Sequence, residues 1–136
     1  MDPDIKKKLV LQSCEAGDKF STTFYSMFDT ERHKVGHLYN EDATLIWNGH
    51  ALSGKKDIQA FLMEKVPSTR TVITDVDCQP APSVCGDEST LLVTVVGKVK
   101  YDTEDVPFPF GETFIMSKQQ DGRYLVRSNN FRCMVA

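Results

Sequence analysis

Apolar residues recur through the first thirty positions with the period of a helix. Leu9, Ala16, Phe20, Phe24, Met27 and Phe28 are separated by seven, four, four, three and one residues, which puts them on one stripe of a long amphipathic helix. Lys7, Lys8, Glu15 and Lys19 fall on its other side. Gly17 lies inside this helix, where glycine costs about 1 kcal/mol relative to alanine, so it predicts close packing against another element. A second, short helix is predicted over Thr30 to Leu38, with Asp29 or Thr30 as its cap, and the chain therefore opens as a helical hairpin.

The period then changes to two. Thr44-Leu-Ile-Trp47, Asn48-Gly49 and His50-Ala-Leu52 read as strand, type I′ turn and strand. Ser53-Gly54 opens a third helix with Ile58, Phe61 and Leu62 on one face, and Pro67 lies just beyond its end. Arg70 to Cys78, Leu91 to Tyr101, Phe108 to Ser117 and Arg123 to Cys133 are rich in Val, Ile, Thr and aromatics and read as strands. Pro80, Pro82 and Gly86 mark the loop before the second of these, and Asp121-Gly122 joins the last two as a hairpin. This order predicts one α+β domain over residues 1–136, with three helices packed on one face of an antiparallel sheet.

The late strands carry more apolar surface than such a sheet needs. Leu91, Val93, Val95, Val99 and Tyr101 alternate on one face, while Leu92 and Val96 lie on the other. Phe108, Phe110, Phe114 and Met116 share a face that Ile115 opposes, and Leu125, Phe131 and Cys133 oppose Tyr124, Val126 and Met134. An antiparallel sheet with one wet face requires only one apolar set, and the helices can cover only one face. Either loops or the N-terminal segment cover the second face, or a second copy or homologous domain does; the size of the surplus favours a partner. Ser128, Asn130 and Arg132 would then enter the interface, and a buried arginine needs an acidic counterpart. In a homodimer that acid comes from this chain, in a heterodimer from the other.

Composition narrows the partners. With 136 residues, 40% hydrophobic and 26% charged, the chain has material for one core. Sixteen Lys and Arg against nineteen Asp and Glu give a net charge of -3, the wrong sign for holding nucleic acid by counterion release, so no direct nucleic-acid contact is expected. No run of about 18 apolar residues exists, which argues against membrane insertion. Leu9 to Leu11 is too short for a signal-peptide core. Cys14, Cys78, Cys85 and Cys133 form no C-x-x-C pair and are expected as reduced thiols in a cytosolic or nuclear protein.

Motifs for chemistry are sparse. His33 and His37 have an i, i+4 spacing without a glutamate between them, so a metal site is not expected. Gly97, Gly111 and Gly122 stand alone, with no phosphate loop and no cofactor implied. An enzyme of this architecture would draw a general acid or base from Tyr39, Asp42 or His50, but no paired constellation supports one, and packing accounts for Tyr39 and Trp47. The chain is expected not to be an enzyme. Asp102, Glu104 and Asp105 form an acidic loop, either solvated or a docking point for a basic partner.

The segment Leu38-Tyr-Asn-Glu-Asp-Ala-Thr-Leu-Ile-Trp-Asn-Gly-His-Ala-Leu-Ser-Gly54, together with Val76-Asp-Cys-Gln-Pro80 and Asn130-Phe-Arg132, resembles the nuclear transport factor 2 family over nearly the whole chain. The resemblance implies a cone-shaped α+β fold with a strongly bent antiparallel sheet, and dimerisation through the sheet face that the helices leave open. Two branches of the family compete. The homodimeric import carrier of Ran-GDP has an acid after the hairpin Trp, where this chain has Asn48, and an N-terminal Trp, whereas Trp47 is the only one here. Trp-Asn-Gly, Asp-Cys-Gln-Pro and the terminal Phe-Arg resemble instead the export branch, the small subunit of the general mRNA export receptor. That branch implies a heterodimer with the receptor's large subunit, contact with nucleoporin Phe-Gly repeats through the heterodimer, and shuttling between nucleus and cytoplasm through the nuclear pore. Arg132 matches the arginine that pairs with an acid of the large subunit. The partner surface is expected to comprise Val93, Val95, Phe110, Phe114, Met116, Asn130, Arg132 and Met134, and Asp102, Glu104 and Asp105 resemble the carrier's acidic loop, implying a weak contact with Ran. A small-molecule isomerase or dehydratase of the same fold is the remaining alternative.

Overall fold

Helix α1 (Pro3–Thr30) starts where the Asp2 carboxylate accepts a hydrogen bond from the Asp4 N–H at 2.8 Å and Pro3 presets the first turn. The structure, a computed structural model, describes residues 2–81 and 89–134; Cys85, Pro82 and Gly86 lie outside the described residues. The predicted stripe holds for Phe20, Phe24 and Phe28, which are buried, but Leu9 is 42% exposed. No side chain before Ser13 is buried, because the stripe continues beyond the sheet that α1 packs on. Gly17 has the close contact its position predicts: a Cβ there would lie 2.6 Å from Cys78 Cβ and 2.7 Å from its sulfur.

The second helix is a 3-10 helix over Arg32–Leu38, and Asp29 does not cap it. The Asp29 carboxylate instead accepts from Thr69 Oγ1, Thr71 N–H and Thr71 Oγ1 at 2.7, 2.8 and 3.0 Å. Beside it the Arg32 guanidinium donates to the Val66 and Pro67 carbonyls at 2.6 and 2.8 Å and to Thr69 Oγ1 at 2.9 Å. These two side chains fasten the end of α1 to the start of a strand far away in sequence, an interaction that local capping rules do not foresee.

Strands β1 (Tyr39–Trp47) and β2 (His50–Ser53) flank the predicted turn, with Asn48 at φ 49° and Gly49 at φ 85°, the left-handed pair that a type I′ turn requires. Helix α2 (Lys55–Glu64) buries Ile58 and Leu62. Strands β3 (Thr69–Pro80), β4 (Leu91–Tyr101), β5 (Phe108–Lys118) and β6 (Tyr124–Cys133) complete a six-stranded sheet in the order β2-β1-β6-β5-β4-β3. Adjacent strands are antiparallel except β1 and β6, which run parallel; that pair joins the two ends of the fold, so no hairpin signal announces it. The register shifts between Ile73 and Asp75 on β3 and between Ser128 and Val126 on β6. Each shift leaves one residue unpaired and bends the sheet. Gly97 faces the first: a Cβ there would run into the carbonyl oxygen of Val72.

The bent sheet closes over α1 through aromatic rings. Phe114 meets Phe20 and Phe24 edge-on at 5.1 and 5.0 Å between centroids, and Phe110 lies 5.6 Å from Tyr25. Trp47 stacks on Phe131 at 3.8 Å. This cluster overturns part of the expected partner surface. Val93, Val95, Phe110, Phe114 and Met116 are at most 2% exposed: they form the floor on which α1 sits, and a partner could reach them only by displacing the helix.

Candidate interaction surface

Period two turns the alternate residues of these strands to the side away from α1, and strand pairing sets them into rows. One row runs Ala51, Ile46, Asn130, Thr113, Thr94, Asp77 from β2 to β3; the next runs Ser53, Thr44, Ser128, Ile115, Leu92, Gln79; a third runs Arg132, Gly111, Val96, Asp75. Ile46 and Val96 are each 41% exposed, Leu92, Thr94, Thr113 and Ile115 are half-buried, and Asn130, Arg132, Asp75 and Asp77 are exposed. No described helix covers this face. Its centre is made of Val, Ile, Leu and Thr, with charge toward its borders, the composition of an interface core with a polar rim.

The bulge on β6 decides which residues belong here. Arg127 is the unpaired residue, so the phase of the strand reverses around it: Val126 is fully buried in the core while Ser128, Asn130 and Arg132 face out. Strict alternation would have put Val126 and Arg132 on one side. Asn48 holds the end of this strand in place. Its side-chain oxygen accepts from the Cys133 N–H at 2.7 Å and its own N–H donates to the Phe131 carbonyl at 2.9 Å, which fixes the backbone on both sides of Arg132. The Arg132 guanidinium itself makes no hydrogen bond or ion pair among the described residues. A cation aimed outward beside apolar strands is available to an external carboxylate.

Of the expected partner residues the structure thus places Asn130, Arg132 and Met134, the last 62% exposed, on or beside the open face. Ile46, Leu92, Thr94, Val96, Thr113 and Ile115 were absent from that expectation. Their signal was the minority apolar phase of each strand, Leu92 and Val96 against Val93 and Val95, which marks the outer face once the denser phase is given to the core.

The enzyme candidates do not converge. Tyr39 is buried to 1%, whereas Asp42 and His50 are exposed, His50 stacking on Phe61. Among the described residues the buried carboxyl is Glu112, 2% exposed, which accepts from the Tyr25 hydroxyl at 2.7 Å and from the Asn129 amide. Burial pushes its pKa up from 4.5 to about 8 against the lowering effect of those two hydrogen bonds. The void it lines with Tyr25, Trp47 and Phe131 holds about 10 Å³, room for at most one water and no substrate. His33 and His37 are exposed, and no group of metal-ligating side chains gathers among the described residues. Cys14, Cys78 and Cys133 are free thiols. No described helix is long and apolar enough to cross a membrane.

Asp102, Glu104 and Asp105 are exposed on the β4–β5 loop, which is tied down by the Asp102 N–H donating to the Ser68 carbonyl at 2.9 Å and by Lys100 Nζ donating to the Glu104 carbonyl at 2.9 Å. Glu104 borders an open groove of about 250 Å³ floored by Trp47, Tyr101 and Phe108.

Comparison with known proteins places this geometry. The profile of the Nuclear transport factor 2 (NTF2) domain matches residues 16–133. NTF2-related export protein 1 of Bos taurus is 36% identical over 114 residues, covering 83% of this chain and 80% of that protein. Among solved structures, nuclear transport factor 2 of Cryptosporidium parvum superposes with a TM-score of 0.81 at 27% identity, over 93% of this chain and 98% of that one. A chain of the C. albicans Mtr2-Mex67 M domain complex shares the fold with a TM-score of 0.73 at 14% identity, over 92% of this chain and 98% of its own.

Proposed function

Because this chain belongs to the nuclear transport factor 2 family, we propose that it is a non-enzymatic cofactor of nuclear mRNA export, pairing through its open sheet face with the nuclear transport factor 2-like domain of a large export receptor. The observation that carries the reading is Arg132, whose guanidinium has no hydrogen bond or ion pair among the described residues and whose flanking backbone is held by Asn48 at the border of a β-sheet face rich in Val, Ile and Leu. The similarity to export proteins supports the same branch. In this mechanism the chain contributes surface. It covers the receptor's own sheet face, pairs Arg132 with a receptor carboxylate, and stabilises the receptor domain in the form that binds nucleoporin Phe-Gly repeats, and the complex shuttles through the nuclear pore. The net charge of -3 leaves the holding of mRNA to the receptor.

Titration calorimetry with the receptor domain tests this. Arg132 is exposed in the free chain, so Arg132→Ala should keep the parent's melting temperature while weakening the complex by about 3 to 5 kcal/mol, the cost of stranding one member of a buried ion pair. Unchanged affinity removes Arg132 from the interface, and absence of a complex with the parent chain overturns the heterodimer.

The second reading is a homodimeric import carrier for Ran-GDP. It draws on the exposed acidic loop of Asp102, Glu104 and Asp105 beside the Trp47 groove. Against it, Asn48, which follows Trp47, is neutral and already engaged with the end of β6. Nucleotide-selective capture of Ran-GDP over Ran-GTP by the isolated chain would establish this reading in place of the first.

A further inference from the structure

Cys14 on α1 and Cys78 on β3 meet where the helix crosses the strand, each thiol directed at a backbone carbonyl of the other element. The Cys14 sulfur lies 3.7 Å from the Cys78 carbonyl oxygen, and the Cys78 thiol donates to the carbonyl of Ser13, the neighbour of Cys14, at 2.9 Å. Gly17 makes this approach possible, since any side chain there would occupy the position of the Cys78 sulfur. Both cysteines are half-buried and line one open groove of about 390 Å³, which also reaches Leu92 and Thr94. A small reagent therefore has a path to them. The third described cysteine, Cys133, is 6% exposed and belongs to the core cluster.

We propose that Cys14 and Cys78 are a thiol pair that closes to an intrachain disulfide with a low-molecular-weight disulfide as oxidant, tying α1 to the edge strand β3. The Cys14 thiolate attacks one sulfur of glutathione disulfide, the S–S bond breaks, and one glutathione leaves as thiolate. Cys78 then gives its proton to solvent and attacks the Cys14 sulfur, releasing the second glutathione. Two protein thiols are oxidised and one glutathione disulfide is reduced to two glutathiones. Cys78 is the slower partner, because burial, with a smaller contribution from nearby Cys14, raises its pKa from 9.0 to about 11; the closing step should therefore accelerate with pH.

The test uses the full chain carrying Cys85→Ser, so that Cys14, Cys78 and Cys133 are its only thiols. Incubation with glutathione disulfide should yield a protein lighter by two hydrogens, a Cys14–Cys78 linked peptide on proteolysis, and a melting temperature about 10 °C higher that reverts on reduction. In Cys78→Ser the reaction should stop at a single glutathione adduct on Cys14. A stable adduct on Cys14 in the chain that retains Cys78, a linkage involving Cys133, or no reaction at either cysteine would overturn the proposal.

Discussion

Glu112 is a buried carboxyl with two neutral hydrogen-bond donors and no cation in contact. Its pKa is raised in the folded chain, from 4.5 to about 8, so between these values the folded state binds more protons than the unfolded one. Stability from this group is therefore fully present below pH 4.5, falls as pH rises to about 8, and is level above that. At about 1.4 kcal/mol for each unit of displacement the loss is of order 3 to 5 kcal/mol. Denaturant unfolding of the parent and Glu112→Gln should show the variant gaining on the parent from pH 5 to pH 8, with the two curves parallel above. A difference that does not change with pH would assign the dependence to other groups. Glu112 was legible in principle, since it shares the phase of Phe110 and Phe114, and a charged residue on a core face is an anomaly that alternation exposes. Its partners were not legible, because Tyr25 and Asn129 reach it from α1 and β6.

At the scale of elements, period and turn chemistry located both α-helices and all six strands, although β1 starts at Tyr39, five residues before the expected Thr44, and the short exposed β2 was marked by the Asn48-Gly49 turn and not by burial. Where local rules failed, a contact distant in sequence had taken over. Asp29 gives up the capping role for the hydroxyls and N–H of β3, and the phase of β6 reverses at the unpaired Arg127. Gly17 shows the two levels in competition. Alanine there would improve helix propensity by about 1 kcal/mol, yet its methyl would fall 2.6 Å from Cys78 Cβ, and overpacking of that kind costs about 1 to 3 kcal/mol. Gly17→Ala should therefore lower stability in chemical denaturation despite the better helix former; a stabilised variant would show that α1 can lift off β3 at little cost.

For the molecule as a whole, the two faces of the sheet should respond in opposite ways to the same charge. Val95→Glu places a carboxylate at a fully buried site under α1 and should unfold the chain, whereas Val96→Glu, one residue along on the open face, should leave the circular dichroism spectrum and melting temperature near those of the parent while abolishing binding to the receptor domain. Folded Val96→Glu with undiminished binding would remove the open face from the interface. Sequence alone determined that this chain has one α+β core, no apolar helix for a bilayer, an acidic balance, and two apolar phases in its late strands, because period, composition and turn chemistry are local. It also carried the family resemblance on the hairpin and the terminal Phe-Arg. Which apolar phase belongs inside was decided only by the tertiary structure. Helix α1 packs against one face, with Phe20 and Phe24 meeting Phe114 and Tyr25 meeting Phe110 there, and two bulges bend the sheet around it. Alternation is symmetric between faces; the helix that breaks the symmetry is joined to it only through contacts far apart in the chain.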